Sequence, residues 1–400
     1  MMEVRSSAQY PAGSILRQAR HLARVSGPLW VLSLMADRLL PFGVLGWWPD
    51  VTVSSAALRR QLQVLFGAWG MSAEHSSITV DHILYADLRG IDSHGCSMLA
   101  HYHRLVIAGA VTMKPAIHVV RDSPTTALLD GGGGLGHVAA DMAMKLAIEK
   151  CRAAGMGAVA VRNSGHYGAA GAYASMALQA GFLGLATTST WKPAVVPTHG
   201  REAQLGTNPI AMAAPAARRP PFVLDMATSA ASLGRMTAAW RKGRSIPSGW
   251  AYDVKGRPIT SGRRAAQLRR LAPLGSSPEM SSHKGYGLAV AVEILSSILP
   301  GVSALPGESP RQGEVGHFFL AIDPQQFRAA GEFEAALDGL IDRLHSCPPL
   351  DPAQPVLVAG DPERQAYAER VRDGIPLARA VVEDLRAIAH ASGVPFTLDR

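Results

Sequence analysis

Asp130-Gly131-Gly132-Gly133-Gly134-Leu135-Gly136 is the stretch on which the fold turns. Gly131-x-Gly133-x-x-Gly136 satisfies the dinucleotide fingerprint formally, after a strand-like run, Thr125 to Asp130, and before a strong helix, Ala139 to Ala154. Read as a phosphate loop, it would open a doubly wound parallel sheet. That reading needs an acid about 20 residues on, at the end of a second strand, to hold the ribose. Cys151-Arg152-Ala153-Ala154-Gly155 stands there instead. Four consecutive glycines satisfy many patterns, and this one is read as a turn.

Working outward, the remaining elements lack the regular β-α alternation of a doubly wound sheet. Upstream, Ser54 to Gly70 carries Leu58, Leu62, Leu65, Phe66 and Trp69 at helical spacing, and Ser76 to Leu88 and Met98 to Ala108 read as further helices. Thr112 to Val120 reads as a strand. Downstream, strands are expected at Ala158 to Arg162, Leu183 to Thr188, Phe222 to Asp225, His317 to Asp323 and, briefly, Val356 to Ala359. Helices are expected at Gly168 to Gly181, Gly285 to Leu299, Phe333 to His345 and Pro362 to Asp373. The class is mixed α and β.

Four hundred residues allow two or three domains, and 48% hydrophobic against 18% charged residues excludes global disorder. Cys96, Cys151 and Cys347 are odd in number and lack CxxC spacing, so neither a disulfide framework nor a cysteine metal site is expected, and a reducing cytoplasm fits. The net charge of +8 is concentrated: Arg235 to Arg270 holds ten lysines and arginines against one acid, Asp253. Such a segment suits an anionic ligand or a solvated loop face; without a nucleic-acid module it gives no reason to expect nucleic acid. Residues 1–50 stand apart. Arginines precede two apolar runs, Gly27 to Ala36 and Leu39 to Trp48, parted by Asp37-Arg38. Mid-bilayer, each of those charges would cost roughly 2.5–3.5 kcal/mol, so no membrane span is expected. No small-x-small cleavage site follows the first run. The segment reads as an appended amphipathic helix or as the product of an upstream start codon.

Several short stretches carry chemistry. Asp87-Leu88-Arg89-Gly90-Ile91-Asp92-Ser93-His94-Gly95 places His94, which can exchange a proton at working pH, at a turn into a helix; a capping turn through Asp92 or Ser93 is the plainer alternative. Arg162-Asn163-Ser164-Gly165-His166-Tyr167-Gly168 follows a buried strand and opens a helix, where free N–H groups suit an anion and Ser164 or His166 equally suits a cap. Gly206-Thr207-Asn208-Pro209 is a turn. Leu224-Asp225-Met226-Ala227-Thr228-Ser229 sets a carboxylate at a strand end, fit to orient a histidine or to cap a helix. Ser282-His283-Lys284-Gly285 puts cations at a helix start, against the macrodipole, as an anion-binding site would or a frayed end. Ala359-Gly360-Asp361-Pro362 is a further turn, with Asp361 placed to cap the next helix.

These stretches, in this order, together with Leu205 to Pro209, Gly316 to Asp323 and Gly374-Ile375-Pro376-Leu377, resemble the malate/L-lactate dehydrogenase family, which also holds sulfolactate, ureidoglycolate and diketogulonate enzymes and cyclic-imine reductases. The resemblance covers about residues 52–400. It implies a non-Rossmann NAD(P)-binding domain with a largely antiparallel sheet, residues 113–329, and a helical cap from both chain ends, residues 51–112 with 330–400. It implies a homodimer, NAD or NADP, no metal, and hydride transfer on a 2-hydroxy or 2-oxo acid; a cyclic imino-acid reductase and a nucleotide-binding relative with a decayed substrate site are the alternatives. By position His94 matches the family's proton donor and Asp225 the acid near it. Phe222, Val223, Leu224, Asp225, Met226, Ala227, His283, Lys284, Gly360 and Asp361 match cofactor contacts, and Ser93, Met98, His166 and Asn208 fall in site-lining loops. The sequence departs from the family where an arginine is usual four residues after the histidine, here Met98. It departs again at Thr188, at Ser281-Ser282, and through the basic stretch Ser261 to Met280. With Met98 in place, either Arg104 or His101 of the same helix takes the substrate carboxylate or the substrate is less anionic.

Overall fold

The computed structural model describes residues 50–241, 243–302 and 312–398; of the segment read above as appended, all but Asp50 lies outside them. Nine strands are present among the described residues: β1 (Val51–Val53), β2 (His118–Asp122), β3 (Thr126–Asp130), β4 (Met156–Ser164), β5 (Leu183–Thr188), β6 (Ile210–Ala214), β7 (Phe222–Met226), β8 (Val315–Ile322) and β9 (Ile375–Leu377). The α-helices are α1 (Ser55–Ala68), α2 (Ala73–Leu88), α3 (Leu99–Ile107), α4 (Gly136–Ala154), α5 (Ala170–Ala174), α6 (Leu233–Arg241), α7 (Gly262–Leu268), α8 (Ser282–Glu293), α9 (Glu332–His345), α10 (Asp361–Asp373) and α11 (Arg379–Ala391). Seven strands form one mixed sheet in the order β2-β3-β4-β8-β5-β6-β7, and only the β3/β4 pair is parallel. That pair flanks α4, so a single βαβ unit sits inside an otherwise antiparallel sheet.

Three apolar cores organise the chain. The first lies between the sheet and α4, where Ala139, Ala140, Ala143 and Ala147 let the helix settle on Val159, Val161 and Phe319. The second joins the two ends of the described chain. Leu58, Leu62, Leu65 and Phe66 of α1 meet Val382, Leu385 and Ile388 of α11, and β1 pairs antiparallel with β9. The third, around Val195, Met236, Ile246, Ala265 and Leu271, holds the basic segment together. Asp253 there accepts the N–H groups of Lys255 and Arg257 and the Arg257 Nε at 3.0 Å, which draws its carboxyl down to about 2. Helix α9 leans on the large sheet's side of the molecule, with Asp338 accepting from the N–H groups of Arg218 and Arg219.

Five elements differ from the sequence expectation. Residues 356–359 form no strand; Ala359 accepts one hydrogen bond from the Val223 N–H, too little for a ladder. The Ile-Ala-Met-Ala-Ala run of β6 has no strand preference of its own and is extended because β5 and β7 pair with it on both sides. Residues 168–181 give a five-residue α-helix followed by a 3-10 segment, Ser175–Ala180. The expected strand from Thr112 is displaced to β2, whose outer position leaves it exposed throughout. Helix α11 was not among the expected elements, although its buried Val382, Leu385 and Ile388 recur every three residues.

Candidate functional site

The turn after α2 is tied down from beneath. Asp87, buried at the helix end, accepts the Cys96 N–H at 2.8 Å, and a Cβ at Gly95 would stand 1.8 Å from its Oδ1, so only glycine fits there. Burial pushes the Asp87 carboxyl up to about 7. Burial and the Asp87 charge push the Cys96 thiol well above its ordinary range, which makes it inert. From α10, Arg370 donates to the Asp87 carbonyl at 2.6 Å and to Asp92 at 2.5 Å. The turn so fixed presents His94, whose Nδ1 lies 2.8 Å from the Ser93 hydroxyl.

Opposite stands the loop after β4. The glycine run supports it: the N–H groups of Gly131, Gly133 and Gly136 bond the carbonyls of Arg162, Asn163 and His166, and that of Gly132 bonds Asp130. Those donors are spent inside the fold, so the run builds the histidine loop and has no N–H row to offer a pyrophosphate. His166 stacks on His94 with ring centroids 5.6 Å apart and meets the Tyr102 hydroxyl through Nδ1 at 2.8 Å. Behind it, His317 is fully buried between Ser164 at 2.9 Å and Thr188 at 2.7 Å and stacks on Tyr167. His137, equally buried, has no hydrogen-bond partner for either ring nitrogen among the described residues. Burial lowers every one of these imidazoles: His94 in direction, His166 strongly with help from neighbouring histidines, and His137 and His317 to about 3. They are neutral at pH 7, so the site offers proton acceptors.

The same loop reaches Asp225. Its Oδ2 accepts the Gly171 N–H at 2.7 Å, so close that a Cβ at Gly171 would lie 3.0 Å from that oxygen. Burial lifts the Asp225 carboxyl to about 6, against the Gly171 hydrogen bond and with the Glu363 charge adding to the rise. The partner that the structure gives Asp225 is Gly171, five residues after His166, and the one that it gives His94 is Ser93.

Strand β7 is an edge of the seven-stranded sheet, half-exposed from Phe222 to Met226. Gly360, at φ +101°, turns against Val223, and Asp361 is held by Val358 N–H, His345 and Arg364. Beyond Ala227, Leu274 N–H bonds the Thr228 carbonyl, and the start of α8 packs on Leu274, which brings exposed His283 and Lys284 to the far end of the same strand. Gly360 thus lies against Val223 of the strand, and the start of α8 packs on Leu274, which bonds Thr228 just past the strand's end. Two further expected site residues pack into the fold. Asn208 is fully buried and donates to the Ala289 carbonyl and Glu293 of α8. Met98 is partly buried against the second core. Tyr102, Arg370 and His317 were given no role from sequence, although Tyr102, eight residues after His94, follows the turn on the next helix.

The family model for malate/L-lactate dehydrogenase matches residues 53–386. The malate dehydrogenase of Pyrococcus abyssi is 40% identical over 329 residues, 81% of this chain and 90% of that one. The L-sulfolactate dehydrogenase of Methanocaldococcus jannaschii is 36% identical over 334 residues, 82% of this chain and 93% of that one. Among solved structures, malate dehydrogenase from Entamoeba histolytica has a TM-score of 0.81 at 30% identity, covering 87% of this chain and 99% of that one.

Proposed function

The chain belongs to the malate/L-lactate dehydrogenase family and is an oxidoreductase, and from that premise we propose that it moves a hydride between a nicotinamide cofactor and a small 2-hydroxy or 2-oxo acid. The observation that carries this reading is the pair of stacked imidazoles, His94 and His166, joined to Asp225 at the β7 edge by one short loop.

The residues fit a nicotinamide nucleotide. An edge strand has free backbone groups, the Gly360 turn is a cradle that a Cβ would crowd, and Lys284 at a helix start is a ready phosphate partner. The cofactor's site is therefore assigned to Phe222–Ala227, His283, Lys284, Gly360 and Asp361, and not to the Gly131–Gly136 turn. When bound, the nicotinamide supplies or accepts the hydride. His94, partly buried and neutral, takes the hydroxyl proton in oxidation, with Ser93 fixing its ring. In reduction the substrate's own carboxylate favours the imidazolium, so the same nitrogen returns the proton. His166 and Tyr102 form the opposite wall. Asp225, through Gly171, positions that wall.

The cap is assigned to residues 51–112 with 330–400, with α9 bridging to the body at 113–329; the second core, drawn from both ends, supports the division. A homodimer in the cytoplasm completes the reading. Exposed Leu288, Ile294, Ile298 and Leu299 along α8 and its continuation support the first, and three unpaired cysteines support the second.

Calorimetry with NADH and NADPH, followed by turnover with malate, lactate, sulfolactate and a cyclic imino acid, tests the reading. The expected outcome is binding of one nucleotide and turnover of a 2-hydroxy acid. Turnover of the imino acid alone would make the chain a reductase of C=N bonds, and binding without turnover a nucleotide-binding relative. Binding of neither nucleotide would overturn all three.

A further inference from the structure

A 2-oxo or 2-hydroxy acid brings a carboxylate, and the best side chain for it is a planar arginine that can bond it with two parallel N–H groups. The place one helical turn after His94 holds Met98, which packs on the second core. The cations of the same helix do not replace it. His101 is held neutral by burial and by the charges of Arg104 and Arg269, and Arg104 is exposed.

Arg269 comes from a different part of the chain. It ends α7 with its N–H bonded to the Ala265 carbonyl at 3.0 Å and its backbone at φ +50°, a conformation that long side chains rarely adopt. The strand-like segment that follows is clamped: Leu271 N–H bonds the Ala194 carbonyl at 2.7 Å, and the Arg270 carbonyl accepts the Tyr252 N–H at 2.9 Å. The side chain is half-buried, its Nε is shut from solvent, and among the described residues that nitrogen has no hydrogen-bond partner. Arg257 and Arg264, from the same basic segment, both reach Asp253 instead.

The lobe that carries Arg269 abuts the histidine site. Gly234, at the start of α6, lies so close to Ser93 that a Cβ there would stand 3.0 Å from the Ser93 Cβ, and α6 and α7 are packed backbone to backbone at Gly262. The Arg269 charge bears on His101, whose neighbour Tyr102 bonds His166. A strained, clamped backbone thus holds a half-buried guanidinium beside the helix that lines the site. Its Nε–H is left for an acceptor that the described residues do not supply, as is that of the neighbouring Arg270.

We propose that Arg269, delivered from the third core's lobe, is the specificity-determining residue that grips the substrate carboxylate in place of the arginine absent at Met98. This rests on the oxidoreductase reading above. It makes the substrate a small carboxylate acid, with its carboxylate on the α7 side of the site and its reacting carbon toward His94.

Arg269→Gly tests it with effects of opposite sign. Glycine accepts the backbone conformation, so the melting temperature should hold or rise. The KM for the best carboxylate substrate should rise about 10- to 100-fold, the loss expected for a charged hydrogen-bonded pair, with kcat within a few-fold and nucleotide affinity unchanged. Preference for the acid over its neutral amide should collapse, Arg269→Lys should restore part of it, and Arg270→Gln should leave it intact. An unchanged KM in Arg269→Gly, a KM that rises only with a lost melting temperature, or an equal effect from Arg270→Gln would overturn the proposal while the wild type's turnover stands. A wild type that turns over no such acid would overturn the parent reading and this one with it.

Discussion

The histidine side and the β7 edge of the site are built on opposite principles. Behind His94 and His166, Tyr102, His137 and His317 are fully buried, and burial drives the imidazoles toward their neutral form. Along β7 the strand is half-exposed and Lys284 stands in solvent. Proton exchange needs a dry, shifted group. Docking a charged nucleotide needs free N–H groups and cations that can still reach it. Substitutions on the first side should therefore disturb packing and rate together, and those on the second should disturb affinity alone.

The largest expected effect is at Gly95. A methyl there meets Asp87 Oδ1 at 1.8 Å and must expel the carboxylate that holds Cys96 N–H. Gly95→Ala should cost about 2–4 kcal/mol in denaturant unfolding and abolish turnover. A wild-type midpoint would show that the turn is loose and the contrast between the two sides unreal.

His94→Ala and Lys284→Ala separate the two sides next. The first should lose roughly 10²–10⁴-fold in rate with nucleotide affinity kept. The second should weaken nucleotide binding about tenfold or more with stability unchanged. Near-full rate in His94→Ala would move proton exchange to His166, and equal nucleotide affinity in Lys284→Ala would detach α8 from the cofactor.

The smallest effect sharpens the electrostatic half of the comparison. His137 is lowered to about 3 by burial, from an unfolded value near 6.5. Between those values the unfolded chain binds a proton that the folded protein refuses. Its contribution to stability is complete above pH 6.5 and is lost as pH falls toward 3. His137→Phe should flatten the acid slope of unfolding free energy by about one proton, roughly 1.4 kcal/mol per pH unit. Asp87 and Asp225, raised to about 7 and about 6, act in the other direction over the same window in both proteins, so the difference between the two curves isolates His137. Identical slopes would mean that His137 reaches solvent.

Much was legible in the residues alone. Helical spacing of Leu58, Leu62, Leu65 and Phe66 marked a buried face because burial follows local periodicity. The missing ribose acid after Gly131–Gly136 argued against a doubly wound sheet, and the observed sheet, with one parallel pair in seven strands, is a mixed one. His94, His166, Asp225 and Lys284 stood out because titratable groups at turns and element ends are exposed to chemistry that core residues are not. Tertiary structure alone decided the rest. Whether Ile210 to Ala214 is strand depends on partners far off in the chain. That Asp225 bonds Gly171 and that the glycine run spends its N–H groups on the histidine loop are contacts across tens of residues, and Asp87 fixes the turn by reaching nine residues on. The position of Arg269 beside the helix of Tyr102 joins segments more than 160 residues apart in the sequence. No local pattern encodes such meetings, because they are set by how the cores pack and not by the propensities of the residues that meet.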